Sequence, residues 1–187
     1  MARTPSIMLP LGTKAPDFVL PDTISGNQYT LDQIQGEKGT VIMFICNHCP
    51  FVKHVNAELV RIGKDFGELG VGFAAISSND VENYPEDHPN KMKDTASREG
   101  YPFPYLYDAS QQTAREYQAA CTPDFYLFGP ELELVYRGQL DSSRPGNNIP
   151  VSGEDLRAAI NCLLEGRSVP ADQKPSIGCN IKWKADT

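Results

Sequence analysis

The chain has 187 residues, of which 40% are hydrophobic and 22% are charged, a balance typical of a globular protein with a full core. Its net charge of −7 argues against a nucleic-acid partner and against binding to an anionic membrane. No apolar run is long enough for a transmembrane helix, and residues 1–12 lack the apolar region of a secretory signal. With an odd number of cysteines, five, these features predict one domain spanning 1–187 in the reducing cytoplasm, with the oligomeric state left open.

Apolar patterns along the chain predict strands and helices in the alternating order of an α/β protein. The predicted elements are strands 18–20 and 28–30 in a hairpin, a helical turn at 31–34, strand 40–45, helix 51–66, strand 71–77, helix 90–99, strand 105–107, helix 111–120, a hairpin of strands 125–128 and 133–136, and helix 153–164. Strand 40–45 is a continuous apolar run, which indicates a central strand buried on both faces. Residues 165–187 show no regular pattern and predict an irregular C-terminal tail.

The most informative motif is Cys46-Asn47-His48-Cys49, which lies between the central strand and Pro50. Proline is favoured at the first position of a helix, so the motif is predicted to lie at a helix start. The dipoles of a helix N-terminus stabilise an anion there, and the thiolate is the reactive form of cysteine. Two cysteines with this spacing close a disulfide readily, so the pair is predicted to carry two electrons without any cofactor.

Two other interpretations of the motif remain open. Zinc sites use the same cysteine spacing, and the ligands available for such a site are Cys46, His48, Cys49, His54 and Cys121. Such sites usually need a second closely spaced ligand pair, which the chain lacks, so no metal is expected. The alternative without chemistry is a pair of buried, inert cysteines.

Further motifs resemble those of a known superfamily. Thr122-Pro123 precedes the predicted strand 125–128, segment 14–18 reads Lys-Ala-Pro-Asp-Phe, and a long insertion separates Ser77 from Tyr105. Together with the C-x-x-C after the first central strand, they resemble the thioredoxin-like superfamily and its peroxiredoxin-like subgroup, the alkyl hydroperoxide reductase and thiol-specific antioxidant proteins. The resemblance implies a thioredoxin-like sandwich with a central mixed sheet, an N-terminal hairpin and a C-terminal extension. It also implies a cis peptide bond before Pro123, with Thr122 and Pro123 at the substrate.

Departures from the peroxiredoxin pattern set the expected activity. That pattern is Thr-x-x-Cys-Pro, so Cys49 and Pro50 match it while Cys46 replaces the threonine that orients the peroxide. Thr122-Pro123 occupies the neighbourhood of the family's active-site arginine. We therefore predict a thiol-disulfide oxidoreductase acting on protein or small-molecule disulfides, with weak activity on peroxides. A peroxiredoxin-type thiol peroxidase and a non-enzymatic redox sensor or metal-binding module are the alternatives.

Roles for the motif residues follow from their order. Cys46, the first cysteine, is predicted to be exposed at the N-terminus of the helix. It is also predicted to be the more acidic thiol and to act as the nucleophile. His48 lies between the cysteines, as in periplasmic disulfide-forming oxidoreductases, and is predicted to hydrogen-bond the thiolate and lower its pKa. Cys49 is predicted to be buried and to act as the resolving thiol.

The three remaining cysteines lie outside the motif. Cys121 is two residues from Pro123, so it is predicted to lie near the dithiol as an accessory thiol without being its normal disulfide partner. Cys162 falls on an apolar helix stripe and is predicted to pack in the core. Cys179 in the tail receives no role.

Overall fold

The structure is a computed structural model that describes residues 3–185. Its elements are, in chain order, β1 (Arg3–Pro5), β2 (Val19–Pro21), β3 (Gln28–Thr30), α1 (Leu31–Ile34), β4 (Gly39–Phe44), α2 (Pro50–Gly67), β5 (Val71–Ser77), a 3₁₀ turn (Pro85–Asp87), α3 (Pro89–Glu99), β6 (Tyr105–Tyr107), α4 (Gln112–Glu116), β7 (Cys121–Thr122), β8 (Asp124–Phe128), β9 (Leu134–Gly138), α5 (Glu154–Leu164) and β10 (Ile177–Asn180). None of the helices within these residues is long and apolar enough to cross a membrane.

The central sheet has five strands in the order β6-β5-β4-β8-β9. β4, β5 and β6 are parallel to one another, whereas β8 pairs antiparallel with both β4 and β9. β4 lies in the middle, and all six of its residues are buried, as its continuous apolar run predicts. The predicted mixed sheet and the N-terminal hairpin of β2 with β3 are both confirmed.

Two apolar cores cover the two faces of this sheet. On one face the apolar stripe of α2 packs with α5 against β4 and β8, and Leu59 and Ile62 are fully enclosed there. The other face is filled by aromatic rings, with Phe44 in contact with Tyr117 and Tyr126 at centroid distances of 5.6 and 5.9 Å. These cores hold the carboxyl end of β4, where the cysteine motif begins, rigidly in place.

A second sheet, of three strands in the order β1-β10-β7, has no counterpart in the sequence predictions. The prediction of a wholly irregular tail over 165–187 is wrong, because β10 lies within it. β7 and β10 are only two and four residues long, and their partners are distant in sequence, so no local pattern reveals them. Helix α4 is also shorter than predicted, since Gln111 and Gln118 adopt left-handed backbone angles at its two ends.

Gly72 on β5 allows the connection after α1 to pass directly against the sheet. A Cβ at this position would lie 1.9 Å from the Ile34 carbonyl oxygen, and backbone atoms cannot rotate away. We expect Gly72→Ala to lower the free energy of unfolding by about 3 kcal/mol or more through overpacking. Gly67→Ala, where a Cβ would meet nothing within 4 Å, is the matched control. Equal urea midpoints for the two variants would contradict this account of Gly72.

Candidate active site

The helix that follows the cysteine motif begins one residue after its second cysteine. β4 ends at Phe44, α2 starts at Pro50, and Cys49 is the N-cap residue between the connection and the helix. The N–H groups of a helix start carry partial positive charge, and this effect falls off within one turn. Cys49 is therefore the thiol that receives the helix field, whereas Cys46 lies in the preceding connection.

Both thiols of the motif are buried: Cys46 is 2% exposed and Cys49 is fully enclosed. The predicted burial of Cys49 is confirmed, and the predicted exposure of Cys46 is wrong. The cause is the insertion after β5, whose 3₁₀ turn closes over the motif. There Asn47 donates its backbone N–H to Asp87 and its side-chain amide to the Glu86 carbonyl oxygen, both at 2.8 Å.

The two thiols differ in acidity, with the charge on Cys49. The pKa of Cys49 is lowered to about 5, chiefly by the hydrogen bond that Cys46 donates to it. Burial opposes this shift, while a second hydrogen bond from Cys179 supports it. The pKa of Cys46 is raised, because it acts as the donor to Cys49, because it is buried and because Asp87 is negatively charged. The prediction that Cys46 is the more acidic thiol is therefore wrong, because the hydrogen bond between the two thiols lowers the pKa of Cys49 and raises that of Cys46.

Thr122 contacts both cysteines from the facing strand. Its hydroxyl lies 3.4 Å from Cys46 Sγ, and its carbonyl oxygen lies 3.2 Å from Cys49 Sγ, a hydrogen bond when that thiol is protonated. The Thr122-Pro123 peptide bond is cis. The predictions that this bond is cis and that Thr122 faces the dithiol are both confirmed.

His48 pairs with a buried carboxylate that the sequence did not identify. Its Nδ1 lies 2.6 Å from Asp87 Oδ2, and its ring stacks on Tyr84 with a centroid distance of 5.7 Å. Asp87 is fully buried and also accepts from Asn79 Nδ2 at 2.8 Å. Burial alone would raise the pKa of Asp87, but the hydrogen bonds from His48 and Asn79 bring it below its ordinary value. His48 is thus oriented by Asp87, whereas we predicted a direct hydrogen bond to the Cys46 thiolate.

One group of side chains has the composition of a metal site. Ligand atoms of Cys46, His48 and Asp87 lie within 4.8 Å of one another, and no other such group occurs among residues 3–185. The Asp87 carboxylate is already engaged by three donors, which favours a structural ion pair. His54 from the zinc alternative is not in the group, because its Nε2 lies 2.7 Å from Ser143 Oγ.

The third cysteine in contact with the pair is Cys179 on β10. Its Sγ lies 2.8 Å from Cys49 Sγ. Cys121 instead directs its thiol at the Pro123 carbonyl oxygen, 3.6 Å away, and burial raises its pKa far above the ordinary range. The cysteine in contact with Cys49 is therefore Cys179, whereas the predicted accessory role of Cys121 stays a prediction. The sequence shows that the tail contains a cysteine, Cys179. Only the pairing of β10 with β7 shows that it lies beside Cys49.

The charge on Cys49 predicts a distinctive pH titration of the reduced protein. We expect an ultraviolet thiolate signal that persists at neutral pH and disappears on acidification with a midpoint near pH 5. The ordinary thiol pKa is about 8.5, so the ionised group stabilises the reduced fold fully above pH 8.5 or so and progressively less towards pH 5.

Two variants locate this thiolate. Cys49→Ser should abolish the signal at neutral pH. Cys46→Ala should move the midpoint to higher pH, because it removes the main hydrogen-bond donor. A neutral-pH signal that survives in Cys49→Ser and disappears in Cys46→Ala would place the charge on Cys46.

Comparisons with known proteins agree with this geometry. The AhpC/TSA family matches residues 11–137. The crystal structure of an uncharacterized conserved protein from Geobacillus kaustophilus is 59% identical, with a TM-score of 0.98, and covers 100% of this chain and 99% of that one. A hypothetical protein from Sinorhizobium meliloti 1021 is 46% identical, with a TM-score of 0.95 and coverage of 98% and 100%. No curated protein matches the chain.

A more distant structure shows the shared fold. A secreted Mycobacterium tuberculosis disulfide oxidoreductase homologous to E. coli DsbE is 17% identical, with a TM-score of 0.59, and covers 78% of this chain and 95% of that one. At this identity the likeness establishes the fold alone, which is thioredoxin-like. The family match spans more than half of the chain and includes the cysteine motif and the cis-proline loop. The chain therefore belongs to the AhpC/TSA family and has a thioredoxin-like fold.

Proposed function

We propose that this protein is a thiol-disulfide oxidoreductase that uses Cys46 and Cys49 as its redox pair. The observation that carries the proposal is geometric: both motif cysteines contact Thr122, and Cys49 lies at the start of α2. The lowered pKa of Cys49, due chiefly to the hydrogen bond from the Cys46 thiol, supports it. A thiolate with an adjacent thiol has both components that a reversible two-electron exchange requires. Family membership supports a redox role for these cysteines.

The proposed reaction begins with a Cys46–Cys49 disulfide. A thiolate of the partner attacks Cys46 Sγ, the Cys46–Cys49 bond breaks, and its electron pair leaves on Cys49. A second partner thiolate then attacks the partner sulfur of this mixed disulfide and releases Cys46, which takes up a proton. The partner loses two electrons and becomes a disulfide, and the protein gains them. The reverse sequence reduces a partner disulfide.

Cys46 is assigned the partner-facing role because Cys49 is enclosed by Thr122 and Cys179. Cys49 then acts as the leaving group, and a thiol of low pKa leaves faster. Because Cys46 is only 2% exposed, the reaction also requires the insertion around Asp87 to open. We propose protein or small-molecule disulfides as partners, with Thr122 and Pro123 beside the reacting sulfur, and a cytoplasmic location.

A second candidate function is a thiol peroxidase centred on Cys49. The observation in its favour is that the acidic thiolate is the cysteine followed by Pro50, the position of the peroxide-attacking residue in the family pattern. The thiolate would take one oxygen from a hydroperoxide, giving a sulfenic acid and an alcohol. Arg144 lies near Pro123 but donates to the carbonyl oxygens of Asp141 and Ser143, which leaves the peroxide without its usual guanidinium.

A comparison of two turnover rates tests the proposal. The wild-type protein is supplied with a thiol reductant and either an insulin-type disulfide or hydrogen peroxide at matched concentration. We expect disulfide turnover to exceed peroxide turnover clearly, because the peroxide-orienting threonine and arginine are missing. Faster, saturable peroxide turnover would reverse the order of the two functions. If neither substrate is turned over, both assignments are wrong.

A further inference from the structure

Cys179 is a cysteine that the proposed reaction does not use, yet it touches the centre of the site. Its sulfur is 2.8 Å from Cys49 Sγ, and a disulfide bond is about 2.05 Å long, so a shift of under about 1 Å would bring the two to bonding distance. Cys179 is 2% exposed, so its sulfur faces the protein interior. Cys49 therefore interacts with two other cysteines, Cys46 and Cys179.

The tail is built to hold Cys179 in this place. β10 pairs with β7 so that Cys179 is opposite Thr122, the residue that contacts both motif cysteines. On its other edge β10 pairs with β1, where Arg3 is opposite Cys179. Gly178 allows the close approach, because a Cβ there would lie 2.0 Å from the Thr122 carbonyl oxygen.

Hydrogen bonds at both ends of β10 fix its register. Before the strand, the Ser176 hydroxyl donates to the Pro123 carbonyl oxygen at 2.6 Å. After it, the Lys182 N–H donates to Asn79 Oδ1 at 2.8 Å, which ties the tail to the insertion that covers the motif. The position of Cys179 is therefore set by backbone pairing and flanking contacts rather than by a flexible side chain alone.

We propose that Cys179 is a third redox-active thiol of this site and forms a disulfide with Cys49. This inference rests on the proposed function, which it extends by one exchange step. Starting from the Cys46–Cys49 disulfide, the Cys179 thiol gives up its proton and its sulfur attacks Cys49 Sγ. The Cys46–Cys49 bond breaks, the electron pair goes to Cys46, and Cys46 takes up the proton. No outside oxidant or reductant is consumed.

The fold reduces the loss of chain entropy that a Cys49–Cys179 bond would otherwise require. Closing a loop of 130 residues costs more chain entropy than closing the short loop of a C-x-x-C motif. In the folded protein β10 already holds the two sulfurs together, so that cost belongs to folding rather than to the exchange. The exchange moves the disulfide to Cys49 and Cys179 and returns Cys46, the cysteine assigned to face the partner, to a thiol.

Tryptic mapping distinguishes the two disulfides by mass. Trypsin releases peptide 39–53, which contains Cys46 and Cys49, and peptide 168–182, which contains Cys179 and keeps its Lys-Pro bond uncut. A Cys46–Cys49 bond stays within the first peptide, whereas a Cys49–Cys179 bond joins the two. The test is carried out on full-length wild-type protein and on Cys46→Ser after mild oxidation with diamide, with free thiols blocked by alkylation.

We expect the joined peptides as the main oxidised product of Cys46→Ser and as a second product in the wild type. Adding Gly178→Ala to Cys46→Ser should reduce the joined product several-fold, because the new Cβ pushes β10 from β7. Adding Cys121→Ser should leave it unchanged. If Cys179 is recovered fully alkylated from both oxidised proteins, the inference is wrong.

The two proposals fail in different ways. Loss of the joined peptides while wild-type protein still turns over disulfides would overturn only the role of Cys179. Formation of the joined peptides in a protein that turns over no disulfide would overturn the proposed function and leave the Cys49–Cys179 bond standing.

Discussion

Replacing either motif cysteine by serine is expected to lower disulfide turnover by on the order of a thousandfold or more, as loss of a covalent nucleophile does in other enzymes. The two variants should fail at different steps. Without Cys49 the mixed disulfide on Cys46 has no leaving or resolving partner and accumulates as a covalent adduct. Without Cys46 the remaining Cys49 is enclosed, so no adduct with the partner should form. Turnover rates and intact mass after incubation with a small disulfide measure both effects.

Cys162→Ser provides the matched control for these variants. Cys162 is a buried cysteine on α5, and its sulfur accepts a hydrogen bond from Arg167 rather than from a residue of the site. Its replacement should leave turnover within about twofold, because it removes no group from the site. An adduct on Cys49 in the Cys46→Ser protein, with none on Cys46 in Cys49→Ser, would exchange the roles that we assign.

The second large effect is expected at Asp87, whose replacement by alanine should destabilise the protein by about 2–4 kcal/mol. The carboxylate is fully buried and accepts from three donors, the Asn47 N–H, the His48 ring and the Asn79 amide. Removing an acceptor leaves buried donors unsatisfied, and each such group costs about 1–3 kcal/mol. Urea denaturation of the reduced proteins at neutral pH measures the loss.

The pH dependence of this loss identifies its origin. The pKa of Asp87 in the folded protein lies below the ordinary value near 3.9, so its contribution to stability is complete above that pH. The contribution is lost as the pH falls through the folded pKa. The difference in the free energy of unfolding between wild type and Asp87→Ala should therefore become smaller in acid. Asp94→Ala, which changes an exposed carboxylate on α3, should alter stability by no more than about 0.5 kcal/mol. A stability difference between wild type and Asp87→Ala that stays constant into strong acid would contradict the role of the Asp87 charge.

The sequence predicts the fold well because its main signals are local. The buried run of β4 and the apolar stripe of α2 depend only on neighbouring residues, and both elements lie within one or two residues of their predicted bounds. The cis form of the Thr122-Pro123 bond was predicted from the resemblance to a family that has a cis-proline at this place. The strands of the second sheet were missed because β7 and β10 are too short to show a period.

The electrostatics of the site depend on details that the sequence pattern does not contain. Whether Cys46 or Cys49 is the acidic thiol depends on the hydrogen bond between them and on the burial of each, which only the folded structure shows. Asp87 lies 39 positions from His48, in an insertion whose polar residues give no sign of which one is buried. Cys179 lies 130 positions from Cys49. Such contacts follow from tertiary packing and have no signature in local sequence.

The redox potential of the Cys46–Cys49 pair tests the central claim most directly. Protein is equilibrated with glutathione buffers of graded potential and quenched with acid. The oxidised fraction is read from the masses of peptide 39–53 and of its disulfide-linked form with peptide 168–182. A thiolate pKa of about 5 stabilises the reduced form. We therefore predict one two-electron transition at a potential above about −270 mV, the value for thioredoxin, whose acidic cysteine has a pKa near 7. A peptide that remains a dithiol at every potential, or that forms only single-cysteine glutathione adducts, would contradict the account.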